Sequence, residues 1–204
     1  MHIDKSSEKF LDNKYNINTY ERDDSSEDRD HRAYEPTPYN ILDLIVDNYL
    51  IKESDNVVDM GSGKGRAAIY LSNKLKCKVT GVEYDNKIYN CSINNLNSTN
   101  LICNVNFINI SAENYLVKDD DTVFFFFNPF SEVILSRVID NIIKSYYTKI
   151  RDIKLIFYYT SLEYVGYLMT NNNIEFVNEI DCSHLYKDKK GRECIMIFRV
   201  SDYL

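Results

Sequence analysis

The stretch Val57-Val58-Asp59-Met60-Gly61-Ser62-Gly63-Lys64-Gly65-Arg66 gathers residue types and spacings suited to holding a ligand. A short β-branched run ends in an acid, and three glycines at alternate positions lead into an apolar helical pattern. Glycines at such a turn let the main chain approach a ligand, and the free N–H groups of a helix start face an anionic group such as a carboxylate. Two phosphate-binding patterns fail here. A P-loop needs Gly-x-x-x-x-Gly-Lys-Ser/Thr, but Gly65 follows Lys64, and Val58 stands where the first glycine would fall. The dinucleotide pattern Gly-x-Gly-x-x-Gly needs its third glycine one residue beyond Gly65.

Such a loop has to be presented by a strand before it and a helix after it, and the flanking sequence supplies both. Strand one is read at Asn56 to Met60, and the next helix packs through Ala67, Ala68, Ile69, Leu71 and Leu75. Strand two spans Lys78 to Glu83, followed by an Asn-rich, weakly marked helix from about Asn86 to Asn95. Strand three is Val105 to Ile110. Strand four is Thr122 to Phe127, an uninterrupted apolar run suited to a central parallel strand buried on both faces. A helix follows from Ser131, its N-cap, to Ile150. Leu155 to Tyr159 is strand five and Leu162 to Met169 a helix. Ile174 to Ile180 and Glu193 to Val200 are two strands joined by a polar turn ending in Gly191, too short for a crossover, so they are expected to be antiparallel. The result is a doubly wound, mostly parallel, seven-stranded α/β sheet closed by an antiparallel hairpin.

Before this core, residues 1–33 are polar and charge-dense, around Asp23-Asp24-Ser25-Ser26-Glu27-Asp28-Arg29-Asp30. Composition reads them as a mobile arm, or as a lid that orders over a substrate. The domain proper is placed at 34–204. It starts at Tyr34-Glu35-Pro36-Thr37-Pro38, where two prolines enforce extended chain, and continues into a helical face from Tyr39 to Leu50.

Ligands of such sheets sit beyond the carboxyl ends of the strands. Those ends carry Asp59 and the glycine loop, then Glu83-Tyr84-Asp85, then Ser111-Ala112-Glu113, then Asn128-Pro129-Phe130. An acid at Glu83, roughly twenty residues past the loop, is placed to accept hydrogen bonds from ribose hydroxyls.

With these ends in order, the chain from Tyr34 onward resembles the class I S-adenosylmethionine-dependent methyltransferases, whose motif I reads Asp-x-Gly-x-Gly-x-Gly. The resemblance implies a Rossmann-like fold with S-adenosyl-L-methionine as cofactor. Asp59, Gly61, Ser62, Gly63 and Gly65 would hold its methionine end, Glu83 and Tyr84 its ribose side, and Ser111, Ala112 and Glu113 would border adenine. Asn128 would face the methyl group. Asn128-Pro129-Phe130 also resembles the Asn-Pro-Pro-Tyr/Phe motif of methyltransferases acting on amino nitrogens, without its second proline. That likeness implies that the Asn128 side chain and the Pro129 carbonyl accept hydrogen bonds from the target NH₂ while Phe130 stacks on a planar substrate. The residue-level alternative is that Pro129 ends a buried strand and Phe130 fills the core. Tyr34-Glu35-Pro36-Thr37-Pro38 echoes the Thr-Pro element such enzymes place before the first core helix. Glu113 and Tyr39 are the acid/base candidates, and no histidine stands near an expected strand end.

Composition narrows the partners. The formal charge of −7 weakens the case for nucleic acid and leans the acceptor toward a small molecule or a protein, although a nucleobase stays open. The basic cluster Lys187-Asp188-Lys189-Lys190-Gly191-Arg192 is read as a solvated turn. Five scattered cysteines and three distant histidines give no disulfide framework and no metal-ligand spacing. The charged N-terminus and the lack of a long apolar run predict a cytoplasmic protein without a signal or membrane segment. The sequence gives no oligomeric state. Two other readings stand beside the methyltransferase: a nicotinamide-cofactor oxidoreductase with an aberrant fingerprint, and a catalytically silent binding protein on the same fold.

Overall fold

The computed structural model describes residues 5–25, 27–186 and 193–202. Its elements are α1 (Lys5–Tyr15), α2 (Tyr39–Asp47), β1 (Asn56–Met60), α3 (Arg66–Leu75), β2 (Lys78–Glu83), α4 (Asn86–Ser98), β3 (Asn104–Asn109), β4 (Val123–Phe126), α5 (Glu132–Thr148), β5 (Lys154–Tyr158), α6 (Leu162–Thr170), β6 (Ile174–Asp181) and β7 (Cys194–Val200). The strands form one sheet in the order β3-β2-β1-β4-β5-β7-β6, parallel except that β7 runs antiparallel to both β5 and β6. The doubly wound sheet and its antiparallel close are those expected, and β1 and β2 fall on the expected residues. The turn expected at Lys187 to Arg192 lies outside the described residues. Among the described residues, no helix is long and apolar enough to cross a membrane.

Alternation along the strands builds two cores. Val57, Val123, Phe125 and Ile156 pack with α2 and α3 on one face of the sheet. Val58, Phe124, Phe126 and Phe157 pack with α5 and α6 on the other, where the Phe126 and Phe157 rings stack at 4.5 Å. The phenylalanine run of β4 thus divides itself between both cores, each fully buried ring contributing roughly 1.5–3 kcal/mol. Ser131 caps α5 by accepting from the Ile134 N–H, which fixes where the chain leaves the β4 end.

The charge-dense N-terminal segment is seated on this body. The end of α1 docks on the end of α4: Asn16 donates to the Ser98 carbonyl at 2.6 Å, and Thr99 Oγ1 to the Tyr15 carbonyl at 2.9 Å. Asn95, buried on α4, accepts from the Asn18 N–H and donates to the carbonyls of Asn18 and Lys64. Among the asparagines that blur the amphipathic pattern of α4, Asn95 is its contact to this strap.

The anchor is Arg66, the first residue of α3, which is 2% exposed. Its guanidinium donates to Glu8, to Asp12 at 3.1 Å, to Thr19 Oγ1 at 2.6 Å and to the Thr37 carbonyl at 3.3 Å, and lies over the Tyr39 ring. Asp12 also accepts from the N–H groups of Thr19 and Tyr20 and from the Tyr39 hydroxyl. Burial, only partly offset by Arg66, raises the Glu8 carboxyl above its ordinary value. Removing the arginine strands two buried acids, so Arg66→Leu is expected to cost about 3–5 kcal/mol in urea denaturation. Arg199→Ala, which breaks a half-exposed pair with Glu175, is expected to cost at most ~1 kcal/mol. Equal effects from the two would remove Arg66 from this anchoring role.

Candidate active site

A cavity of about 230 Å³ opens at the carboxyl ends of the central strands, under the strap. The glycine loop forms one side. Gly61 and Ser62 both donate to the Val82 carbonyl at 2.9 Å, Gly65 to the Ser62 carbonyl, and Gly63 to Glu83 Oε2 at 3.0 Å. Glu83 Oε1 accepts from the Asp85 N–H, so this carboxylate braces the loop against β2.

The glycines of this loop are also required by the protein's own packing. The space a side chain would take at Gly61 is filled by Pro129, and at Gly63 by the Tyr34 ring. Both glycines lie at positive φ, +76° and +55°, which itself disfavours any larger residue. Gly65 packs against Phe107 and Ser92 and does not line the cavity. The loop is thus shaped by the protein's own rings, with Gly61, Ser62 and Gly63 facing the cavity.

Other predicted residues divide similarly. Asp59, Glu83, Tyr84, Ala112, Glu113, Asn128, Pro129 and Phe130 all border the cavity, whereas Ser111 does not. Phe130 is 3% exposed, edge-on to Phe126 and near Tyr164, whose hydroxyl donates to its carbonyl. Its ring fills the core, so the stacking role implied by the motif gives way to the packing alternative. The Pro129 carbonyl accepts from the Arg32 N–H at 3.1 Å, which takes it out of reach of a substrate amine in this conformation. Tyr39 is buried away from the cavity, with its hydroxyl on Asp12, and burial raises its pKa, which removes it as an acid/base candidate.

The strap adds residues that the strand ends do not reveal. Asp23 and Tyr34 pair back to back, His31 bridges Phe130, and Ser131 donates to the Asp30 carbonyl at 2.7 Å. His31 therefore does reach the strand ends. Its ring stacks on Tyr84 at 3.7 Å, and its Nδ1 lies 3.0 Å from Asp28. No sequence signal marked it. Tyr159, just past β5, lines the cavity too, and extending the strand-end reading to strand five would have found it.

Among the described residues, six buried side-chain polar atoms lack a hydrogen-bond partner. Four of them, Asp59 Oδ2, Ser62 Oγ, Glu113 Oε2 and Asn128 Oδ1, belong to residues lining this cavity. Orphaned polar atoms are rare in folded proteins and concentrate where a ligand supplies the partner. Burial, reinforced by the charge of Glu83 and opposed by the Ala68 N–H, pushes the Asp59 carboxyl up to about 7. Burial likewise raises Glu83, against the N–H donors of Asp85 and Gly63.

Residues 57–148 match the family model described as a methyltransferase domain. No curated protein matches the sequence. Among solved structures, an RNA methyltransferase from Salinibacter ruber in complex with S-adenosyl-L-homocysteine is 14% identical, with a TM-score of 0.61 over 83% of this chain and 95% of that one. The precorrin-6y C5,15-methyltransferase of Geobacter metallireducens is 14% identical, with a TM-score of 0.60 over 81% and 90%. The human methyltransferase 10 domain containing protein is 13% identical, with a TM-score of 0.61 over 95% and 93%. The match over residues 57–148 and these likenesses together show that the chain carries the fold of the class I S-adenosylmethionine-dependent methyltransferases.

Proposed function

We propose that this chain binds S-adenosyl-L-methionine and transfers its methyl group to an amino nitrogen of a small-molecule or protein acceptor. The observation that carries the reading is the convergence of four orphaned polar atoms on the cavity beside the glycine loop. The donor set suits that cofactor. Asp59, Glu83 and Glu113 offer oxygens to ammonium and hydroxyl groups, and buried acids favour a ligand bearing positive charge. Of the three arginines lining the cavity, Arg66 is spent on Glu8 and Asp12 and Arg22 lies by Asp24, Glu27 and Glu35, which leaves Arg32 to face three acids. A dinucleotide's pyrophosphate would meet those acids unfavourably, and the similar structures above lend the oxidoreductase reading no support.

When bound, the cofactor supplies a methyl group already activated on a sulfonium. Asn128 Oδ1 accepts from the acceptor N–H and so turns the nitrogen lone pair toward that methyl. The Asn128 backbone lies in the left-handed region, at φ +42°, a sparsely populated conformation of the kind found at ligand sites. An amine loses its proton after transfer, so no strong base is needed. The strap serves as the lid, the second of the two roles composition allowed for residues 1–33. A 230 Å³ cavity is below the ~300–1,000 Å³ of most small-molecule sites, so a nucleoside-sized ligand requires the strap to shift. The net charge of −7 favours a small or protein acceptor over RNA.

In thermal unfolding, S-adenosylhomocysteine at 100 times its dissociation constant is expected to stabilise the protein by about 2.7 kcal/mol. NAD(H) is expected to add nothing. Asn128→Ala should keep that stabilisation and lower transfer of labelled methyl to amines by roughly 10²–10³-fold. Stabilisation by NAD(H) alone would overturn the reading, and cofactor binding without transfer to any acceptor would mark a silent binding protein. Asp59 carries a pH signature as well. Its folded state keeps the proton up to about 7 while the unfolded chain releases it near 3.8. The ligand-free fold therefore loses stability as pH rises from about 4 to about 7, and changes little from this group above that. In urea titrations, Asp59→Asn should match the parent near pH 4 and exceed it near pH 8, and a gap independent of pH would refute this.

A further inference from the structure

Among the described residues, five non-glycine residues lie at positive φ, and two of them fall at neighbouring strand ends. Asn128 and Tyr159, just past β4 and β5, are both non-glycine residues at positive φ, +42° and +55°, and both line the cavity. Asparagine tolerates that conformation through its short polar side chain, whereas a tyrosine gains nothing from it locally. The Tyr159 backbone is held there by its N–H on the Cys194 carbonyl of β7. Such an outlier at a ligand cavity points to a side chain kept in place for what it faces.

The other aromatic rings at the cavity are engaged: Phe127 packs on the Tyr158 ring at 4.9 Å. Phe130 is core, Tyr84 lies beneath His31, and Tyr34 covers Gly63 with its hydroxyl on the Thr19 carbonyl. Tyr159 meets Phe127 edge-to-face at 6.4 Å and the Tyr158 ring at 6.2 Å, and it lines the cavity. We propose that Tyr159 is the aromatic wall against which a planar acceptor amine lies, beside the Asn128 amide that takes its N–H. The inference rests on the reading of amino-nitrogen methylation given above. It assigns to the end of β5 the stacking surface that the Asn128-Pro129-Phe130 pattern would place at Phe130. The acceptor class is then a flat heteroaromatic or aryl amine.

The test uses the full chain saturated with S-adenosylhomocysteine, which fills the adenine subsite. Binding of adenine, cytosine, 2-aminopyridine and aniline is followed by saturation-transfer NMR, with cyclohexylamine as the non-planar control. At least one planar amine is expected to bind the parent, and cyclohexylamine is not. Tyr159→Phe should hold that amine within twofold. Tyr159→Asn, which suits the left-handed backbone, should weaken it tenfold or more while S-adenosylhomocysteine affinity stays unchanged. Absence of planar-amine binding, equal binding of cyclohexylamine, or an unchanged Tyr159→Asn would overturn the assignment. Failure of S-adenosylhomocysteine itself to bind the parent would instead sink the methyltransferase reading, and the assignment with it.

Discussion

Arg66 ties together three pieces of chain that lie far from it in sequence. It starts the helix that the glycine loop feeds, and its guanidinium reaches α1 through Glu8 and Asp12, the strap through Thr19, and the approach to α2 through the Thr37 carbonyl and the Tyr39 ring. A lone buried guanidinium would be prohibitive, and so would two lone buried carboxylates. Each makes the other tolerable only when α1 is docked. The closed form of the strap, and with it the roof of the cavity, is therefore conditional on one buried ionic cluster one residue beyond the glycine loop.

Inside the roof the electrostatics run the opposite way. The outer cluster is nearly saturated with hydrogen bonds, whereas Asp59, Ser62, Glu113 and Asn128 each keep an atom without a partner. The molecule places its internal donors where they fasten the strap and leaves acceptors beneath it. Buried beneath the strap and beside the charge of Glu83, the Asp59 carboxyl is displaced far above its ordinary range.

Much of this was legible in the sequence because it rests on local pattern. The β4 phenylalanines, the Asp59-to-Gly65 loop and the short final connection fix the sheet, its winding and its antiparallel close. What stayed hidden depends on polar residues whose partners are distant. Asp12 and Glu8 read as solvated charges, and nothing nearby in sequence tells that Arg66 awaits them. Asn95 weakened the helical signal of α4 because it is spent on the strap. Phe130 was ambiguous between core and platform, and burial against Phe126 and Tyr164 decided it. Gly65 fitted the motif by position, yet its contact is Phe107 rather than the cavity.

The docking of α1 on α4 joins residues 77 to 86 positions apart. As the chain leaves the ribosome, at roughly 5–20 residues per second, α1 waits on the order of ten seconds for its seat to be made. Through that interval its acids stay hydrated and its asparagine partners do not exist. Closing so long a loop carries an entropic cost that only a finished α4 and α3 repay. Although it precedes α3 and α4 in the chain, α1 is thus among the last of these elements to settle.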